Sequence, residues 1–313
     1  MHRLPRAVFA SLLALAAATT AHALETVRFA QFKVTTLVPF AYGLEKGYFK
    51  DEGIDLQMIN VQGGPAAGAA IASSSADIGY AAPPPIVNAR IAGQPFKFFM
   101  GLEYEKFPDR LWGNMLASGK SGVKSFKDMG GKTMVVGPPG GLCEVGARDY
   151  LMKAGVPVDS VKFLNNPFPQ MQALLETGTA DAACVAEPFA TAIRTSKIEP
   201  VELGMGYLAE VPVRYRIEGV FANEAWIAAN PKVVEGLKRA YVRANKDLVN
   251  DPALAKDILR KDYKLPPNVI EKIVARPIDS VEAPAAEFQP MLDAMTRTGI
   301  LKAPVKAEDL VAK

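Results

Sequence analysis

Strand-like and helix-like patterns of hydrophobic residues alternate along the chain, and the same order of elements occurs twice. The first copy begins with an apolar strand at 26–30 and continues through a loop into a helix that ends at Gly53. A second strand over 54–61 leads to a short alanine-rich helix, and a third strand ends in the prolines at 83–85. Strands separated by helices in this way are typical of a βαβαβ unit with a parallel sheet.

The second copy begins with the strand at 132–136 and repeats these signals. Its helix ends at Gly155, its second strand covers 158–164, and its third strand precedes Pro188. When Ala76-Asp77 is aligned with Ala180-Asp181, the helix-ending glycines precede these pairs by 23 and 25 residues. Glycine can adopt the left-handed conformation that closes a helix, so each copy has a physical reason to end its first helix there. The repeat predicts two lobes of the same construction.

Two extended segments connect the copies. One lies between them at 96–120, and the other follows the second copy at 211–226. We interpret them as crossings between the lobes, near 113–116 and near 217–222. The predicted organisation is a signal peptide at 1–23, a first lobe formed by 24–114 and 222–313, and an inserted second lobe at 115–221.

The chain after the second crossing is predicted to be helical and to pack on the first lobe. Asn230 is expected to cap a helix that has Pro231 in its first position. The buried stripe of that helix consists of Val233, Val234, Leu237, Tyr241, Ala244 and Leu248. Further helices are expected near 252–261, 267–274 and 284–297.

The N-terminus has the features of an export signal. Arg3 and Arg6 precede an apolar run at 7–18, and Ala21-His22-Ala23 is a small-residue cleavage site. Leu24 follows at the position where a lipoprotein would have cysteine. We expect a mature protein that begins near Leu24 and works outside the cytoplasm; the alternative is a buried N-terminal helix.

Composition narrows the possible functions. Both histidines, His2 and His22, lie in the predicted signal peptide, so the mature chain would have no histidine for a catalytic triad, a zinc site or acid-base catalysis near neutral pH. Removal of Arg3 and Arg6 lowers the number of basic residues from 36 to 34, against 33 acidic ones. This balance gives no electrostatic attraction to nucleic acid or to an anionic membrane.

The two cysteines, Cys143 and Cys184, allow two interpretations. An exported protein can form a disulfide between them. A chain of this length can stabilise its core without one, so two buried free thiols are the favoured interpretation.

Ligands of open α/β sheets bind beyond the carboxyl ends of the strands. Two facing lobes would therefore form a cleft lined by six loops. These loops are 32–39, 62–65 and 82–85 in the first lobe, and 137–142, 165–169 and 186–188 in the second.

The most distinctive of these loops is GPPGGLCEVGARDYL, at 137–151. It lacks the Gly-Lys-Ser/Thr of a Walker loop and the G-x-G-x-x-G spacing of dinucleotide folds. Gly140 and Gly141 let the backbone approach a ligand, and the free amides of Leu142, Cys143 and Glu144 begin a helix whose positive end suits an anion. Glu144 could already satisfy that helix end, and a strand-to-helix connection with no ligand is the alternative.

The other loops offer weaker candidates. Lys33 with Thr35 and Thr36 could bind an oxyanion, or Lys33 could face solvent. Glu187 could accept an amine or hydroxyl of the ligand, or pair across the hinge with Arg214 or Arg216. Gln62, Gly63 and Gly64 could bind a ligand or form only a turn, and Phe32, Tyr104, Trp112 and Phe168 could line an apolar wall or belong to the core.

Four segments carry a resemblance to a known family: GYFKDEGIDLQM, ASSSADIGYAAPPP, ALLETGTADAACVAEPFATA and NEAWIAANPKVVEGLKRAYVRA. They resemble the substrate-binding proteins of ABC importers for nitrate, sulfonates, taurine and thiamine pyrimidines. The resemblance spans nearly all of the mature chain and implies an α/β, two-lobe, type II periplasmic binding fold, with two doubly wound sheets joined by a two-segment hinge. A pyrimidine synthase branch of this superfamily uses a histidine and a cysteine cluster, which this chain lacks.

The resemblance also implies ligand-binding positions. Together with Thr35, the candidate set is Phe32, Lys33, Gln62, Gly63, Gly64, Ala82, Pro83, Gly140, Gly141, Leu142, Cys143 and Glu187. The expected function is capture of a small organic anion, either a sulfonate or a carboxylic or aromatic acid, by hinge closure and delivery to an inner-membrane ABC permease. We expect a periplasmic monomer that uses no cofactor, metal or nucleic acid. The alternatives are a carrier of a pyrimidine or other neutral heterocycle, and an enzyme or sensor on the same fold.

Overall fold

The computed structural model describes residues 23–273, 278 and 280–312. The predicted signal peptide lies outside these residues except for Ala23, and so does position 274, the end of one predicted helix. The strands are β1 (Glu25–Gln31), β2 (Ile54–Asn60), β3 (Ile78–Ala81), β4 (Phe96–Gly101), β5 (Tyr104–Glu105), β6 (Asn114–Ala117), β7 (Thr133–Val135), β8 (Lys162–Leu164), β9 (Ala182–Val185), β10 (Val201–Met205), β11 (Tyr215–Arg216) and β12 (Gly219–Asn223).

The helices are α1 (Val38–Lys46), α2 (Tyr48–Asp51), α3 (Gly64–Ala72), α4 (Pro83–Ile91), α5 (Leu142–Lys153), α6 (Phe168–Glu176), α7 (Phe189–Arg194), α8 (Glu224–Ala229), α9 (Pro231–Asn250), α10 (Pro252–Ile258), α11 (Pro267–Ile270) and α12 (Gln289–Arg297). A π-helical turn, Leu259–Tyr263, extends α10. Within the described ranges, no helix combines the length and the apolar character needed to cross a membrane.

The strands form two five-stranded sheets of the same design. The orders are β2-β1-β3-β12-β4 and β8-β7-β9-β6-β10. In each sheet the first three strands of one sequence copy run parallel, and the two remaining strands pair antiparallel with their neighbours. The predicted parallel βαβαβ units are therefore confirmed. The crossing segments supply three of the four antiparallel strands, β4, β6 and β12, and the fourth, β10, comes from the end of the second copy.

Equivalent aspartates show that the sequence repeat is a structural repeat. The carboxylate of Asp77 accepts a hydrogen bond from the backbone amide of Arg28 at 2.8 Å, and that of Asp181 accepts one from Thr133 at 2.9 Å. Each aspartate thus fixes the start of its third strand to the first strand of the same copy. Gly53 and Gly155 have φ of +77° and +73°, the left-handed conformation expected at these two positions.

The helical region differs from the prediction in details that have local causes. The predicted first helix is interrupted at Gly47, whose φ of +76° separates α1 from α2. Asn230 precedes α9 as expected, but its side chain makes no capping bond to α9. It donates instead to the carbonyl of Trp226 at 2.8 Å and so satisfies the end of α8. All six residues of the predicted α9 stripe are buried.

The C-terminal helix α12 contacts both copies, whereas the sequence predicted packing on the first lobe alone. Arg297 donates to the carboxylate of Asp149 on α5 at 2.7 Å, and Phe288 packs against Phe98 of β4 with ring centroids 5.2 Å apart. β6 belongs to the second sheet and β12 to the first. The lobe boundaries at 114/115 and 221/222 stay a prediction.

Candidate functional site

A cleft of about 690 Å³ lies where the carboxyl ends of the parallel strands of both sheets face one another. Nine of the thirteen predicted site residues line it, namely Phe32, Lys33, Gln62, Gly63, Gly64, Ala82, Gly141, Leu142 and Cys143. Thr35 and Glu187 line a smaller neighbouring cavity, and Pro83 and Gly140 line neither of the two. The structure therefore gathers most of the predicted set, while their part in binding stays a prediction.

The start of α5 supplies two free backbone donors. Within the described chain, the amides of Leu142 and Cys143 have no hydrogen-bond acceptor, as is usual at a helix start. The third amide predicted to be free, that of Glu144, donates instead to the Gly141 carbonyl at 3.1 Å. Glu144 does not occupy them, because its carboxylate accepts from the Gly140 amide at 2.8 Å and from Arg148 at 2.7 and 2.9 Å. Leu142 and Cys143 line the cleft, so two amides and the positive end of a twelve-residue helix lie at its wall. The acid beside them, Glu144, is paired with Arg148.

The start of α4 contributes no such donors. Its first three positions are Pro83, Pro84 and Pro85, and proline has no backbone N–H. Pro85 serves instead as an apolar wall and packs against α3. A Cβ on Gly64 would lie 2.9 Å from Pro85 Cγ, so the approach of α3 to α4 requires glycine at position 64.

The two cleft walls meet at the rim near Gly63. This residue has φ of +87°, and a Cβ on it would lie 3.3 Å from Pro138 Cγ of the opposite sheet's loop. The backbone amide of Thr35 also donates to the carbonyl of Glu187 at 3.2 Å, which joins a first-sheet loop to a second-sheet loop. The cleft is therefore bounded by direct contacts between segments of the two copies.

Two charged candidates are directed away from the cleft interior. The ammonium of Lys33 donates to the carbonyl of Asp262 and lies 5.7 Å from the ring centroid of Tyr263. Glu187 accepts from the amide of Thr191 at 3.0 Å and pairs with Arg194 at 3.2 Å.

The alternative prediction for Glu187, an ion pair across the hinge with Arg214 or Arg216, is wrong. Arg214 and Arg216 both pair with Glu287, at 2.8 and 2.5 Å. The reason is topological. Arg214 lies just before β11 and Arg216 lies in it, and β11 packs beside the turn that contains Glu287.

The cysteines form a disulfide between Cys143 and Cys184, so the favoured interpretation as free thiols is wrong. The bridge joins the beginning of α5 to β9 over a sequence separation of 41 residues. The sequence does not show that two positions so far apart along the chain become neighbours when the helix packs on the sheet. The consequence for the site is that the Cys143 amide is held covalently to the second sheet.

The crossings between the sheets are fixed by one buried acid, Glu105. β5 and β11 pair antiparallel as a two-stranded ribbon. Glu105 accepts from the amides of Trp112, Gly113 and Tyr207 at 2.6 to 2.7 Å, and from the Tyr215 hydroxyl. Burial raises the pKa of Glu105, and these hydrogen bonds oppose that rise.

The aromatic candidates divide between cleft and hinge. Phe32 and Phe168 line the cleft, together with Phe189 and Tyr207, which the sequence did not single out. Tyr104 instead lies under the guanidinium of Arg214, 3.7 Å from its ring centroid. Trp112 lines only the smaller cavities.

One acidic residue that lines the cleft was missed. Glu218 lies just before β12 and is only 8% exposed. Its Oε2 accepts from the hydroxyl of Thr36 at 2.8 Å. Burial raises the pKa of its carboxyl from 4.5 to about 7, against the opposing effect of the Tyr80 and Thr36 hydroxyls beside it. The only signal in the sequence was an acid inside an otherwise apolar extended run, Ile217-Glu218-Gly219-Val220.

The site can therefore bind a solute through amides, apolar surface and one carboxylate. Apart from Lys33 and Glu218, the lining residues carry no charge. Side-chain amides come from Asn60, Gln62, Asn165, Asn166 and Gln170. No cluster of acids, histidines or cysteines that could hold a metal ion occurs among the described residues.

Two similar α/β lobes, two crossings and a cleft between the strand ends define the type II periplasmic binding fold, as predicted. The structure is similar to the alkanesulfonate-binding protein SsuA from Xanthomonas axonopodis pv. citri bound to MOPS, with a TM-score of 0.78, 18% identity, and 92% of this chain and 98% of that chain covered. It is also similar to the periplasmic nitrate-binding protein NrtA from Synechocystis PCC 6803, with a TM-score of 0.74, 16% identity, and 91% and 84% covered.

The family follows from the sequence. The model of the family described as NMT1/THI5 like matches residues 34–255, and the chain belongs to this family. No curated protein sequence matches the chain significantly.

The same fold also occurs in a mutant of DSZB in complex with biphenyl-2-sulfinic acid, with a TM-score of 0.66, 13% identity, and 92% of this chain and 96% of that chain covered. At such identities the likeness shows the fold alone, and the function has to be argued from the site.

Proposed function

We propose that this protein is a periplasmic solute-binding protein that captures a small organic anion and delivers it to an ABC permease. The observation that carries the proposal is the cleft of about 690 Å³ between the two sheets, into which the unpaired amides of Leu142 and Cys143 open. A volume of this size suits a ligand of drug-like dimensions or smaller. Structural relatives whose names specify alkanesulfonate and nitrate support an anion.

The acidic group of the ligand would bind at the start of α5. Two backbone N–H groups and a helix dipole stabilise an anion there without a cationic side chain. The disulfide at Cys143 fixes these donors relative to the second sheet. Phe32 and Phe168 would contact the apolar part of the ligand, which makes a sulfonate or a carboxylic or aromatic acid a better fit than a bare inorganic ion.

Capture would proceed by closure of the two lobes. A ligand that contacts loops of both sheets binds the closed arrangement better than the open one and therefore shifts the population towards it. Segments of the two copies approach one another at Gly63 and Pro138 and at Thr35 and Glu187, and closure of the lobes would involve these segments. The mechanism needs no covalent step, and a periplasmic monomer that docks on its permease when closed is the simplest form of it.

The test is a ligand screen on mature protein that begins at Leu24 and has been unfolded and refolded to remove carried-over solute. Alkyl sulfonates, nitrate, benzoates and pyrimidines are compared by thermal shift. A ligand at a hundredfold excess over its Kd adds about 2.7 kcal/mol to the free energy of unfolding. Binding by organic anions supports the proposal, and a screen in which no anion binds refutes it.

A charge variant then locates the anion. Gly141→Asp is unsuitable because a Cβ there would lie 2.9 Å from the Pro138 carbonyl oxygen, so the variant would strain the loop. Glu144→Gln keeps an acceptor for the Gly140 amide and removes a negative charge from the helix start. It should strengthen anion binding, and Glu176→Gln on the exposed face of α6 is the matched control.

The second candidate, a carrier of a pyrimidine or other neutral heterocycle, is favoured by Glu218. A buried carboxylate in the cleft wall repels an anion at short range, but it accepts hydrogen bonds from ring or exocyclic N–H groups. Binding by neutral heterocycles and by no anion in the same screen would select this candidate.

A further inference from the structure

We infer that Glu218 is a specificity-determining residue of the cleft and that the solute carries an N–H donor, such as an amino group, which this carboxylate accepts. The inference deepens the proposed function and rests on it, since it takes the cleft as the solute site. It applies to an amino-bearing organic acid and to an amino-bearing heterocycle alike.

Glu218 lies within reach of a solute in the cleft. It follows β11 on the second crossing and precedes β12, so it lies where the chain passes between the two sheets. It lines the large cleft and also the small cavity beside it, which Thr36 and Glu187 share. A solute held between the lobes is therefore in reach of this side chain.

The carboxylate of Glu218 makes fewer hydrogen bonds than it can accept. An ionised carboxylate can accept about four hydrogen bonds. Thr36 donates one at 2.8 Å, and the nearby Tyr80 hydroxyl makes no hydrogen bond of ordinary geometry. No lysine or arginine forms an ion pair with Glu218 in the described part of the chain. Glu218 thus retains acceptor capacity on the side that faces the cleft.

Comparison with the other buried acids shows that this is an exception. Glu103 pairs with Arg110 at 2.8 Å, Glu144 with Arg148 at 2.7 Å, and Asp149 with Arg297 at 2.7 Å. Glu105 has four donors of its own. Buried acids in this protein are otherwise matched by cations or several donors, so the under-matched one at the ligand site indicates that the ligand supplies the missing donor.

The surroundings of Glu218 provide no positive charge. The titratable groups that face Glu218 are Tyr80, Glu105, Tyr207 and Tyr241, with Glu187 in the wall of the same small cavity, and none of them is a cation. Lys33, the only cation of the lining, is directed to the carbonyl of Asp262. An ammonium or polarised N–H group of a solute would therefore be the strongest partner available to the carboxylate.

This arrangement couples binding to a proton. Because the carboxyl has a pKa of about 7, it is partly protonated at neutral pH in the ligand-free protein. A solute that donates an N–H group favours the ionised form, so its binding releases a proton and weakens as the pH falls below 7. An anion without a donor favours the protonated form, so its binding takes up a proton and weakens as the pH rises.

The test uses pairs of probes that differ by one amino group: 4-aminobenzoate with benzoate, 2-aminoethanesulfonate with ethanesulfonate, and 4-aminopyrimidine with pyrimidine. Affinities are measured calorimetrically on refolded mature protein at pH 6 and pH 8, in two buffers of different ionisation enthalpy so that proton release is counted. We expect at least one amino probe to bind tenfold or more tightly than its partner, with proton release.

Glu218→Gln keeps the side-chain volume and an acceptor oxygen but removes the charge and the titration. We expect it to reduce the amino preference tenfold or more and to abolish proton release, while Glu176→Gln leaves both unchanged. An amino preference that persists in Glu218→Gln overturns the inference and leaves the proposed function intact. Tight binding confined to anions without an amino group does the same, and failure of every probe to bind rejects both for these ligand classes.

Discussion

The stability of the ligand-free protein should depend on pH through Glu218, and the sign of that dependence follows from its burial. The pKa of this carboxyl is about 7 in the folded protein against 4.5 as its ordinary value. Between these values the folded state holds a proton that the unfolded state has lost, so the free energy of unfolding falls as the pH rises. Each pKa unit corresponds to about 1.36 kcal/mol, which gives about 3 kcal/mol for the rise from 4.5 to about 7.

Glu218→Gln removes this dependence. The stabilisation is fully present below pH 4.5 and is lost as the pH rises through about 7, so the variant should gain about 3 kcal/mol relative to the wild type between pH 4.5 and pH 8. Urea unfolding of both proteins over this range measures the difference, and the other titrating groups cancel in it. Glu176→Gln, at an exposed position, is the control and should follow the wild type. Parallel curves for Glu218→Gln and the wild type would refute the burial argument.

Three further predictions concern the disulfide, the hinge and the helix start. Reduction of the Cys143–Cys184 bridge, which closes 41 residues, should lower the free energy of unfolding by about 4 kcal/mol, seen as a lower urea midpoint with reductant. Glu105→Ala leaves three hinge amides, two buried and one partly buried, without their acceptor and should cost about 3 kcal/mol or more in the same assay; an unchanged midpoint contradicts this. Glu144→Gln should tighten anion binding about two- to fivefold by calorimetry, and weaker binding would show that Glu144 assists the anion.

The fold could be predicted because its determinants are local and occur twice. Gly53 and Gly155 close helices by their own conformation, and Asp77 and Asp181 make equivalent bonds to the first strand of their copies. Both features lie within one βαβαβ unit, so the order of elements along the sequence was enough to predict the repeat. The interruption at Gly47 was missed because a helix pattern continues across it.

The candidate site could be predicted only as far as loop positions define it. The rule that ligands bind beyond strand ends placed nine of thirteen residues on one cleft. It could not indicate where long side chains point, so the turn of Lys33 towards Asp262 was not visible. Glu218 was missed because its burial depends on Thr36, which is 182 residues away in sequence.

Recognition in this cleft depends on dipoles and one acid more than on ion pairs. Helix α4 begins with three prolines and offers no amide at these positions, while α5 offers two unpaired amides, so the α5 start is the better site for an anion. Glu218 supplies the negative group. It has no ion pair with a lysine or arginine in the described chain, so an N–H donor of the ligand would not displace a cation of the protein. A solute with separated acidic and N–H donor groups satisfies both ends at once, whereas a simple anion satisfies one and must leave Glu218 protonated. The pH dependence of binding therefore reports which kind of solute the protein carries.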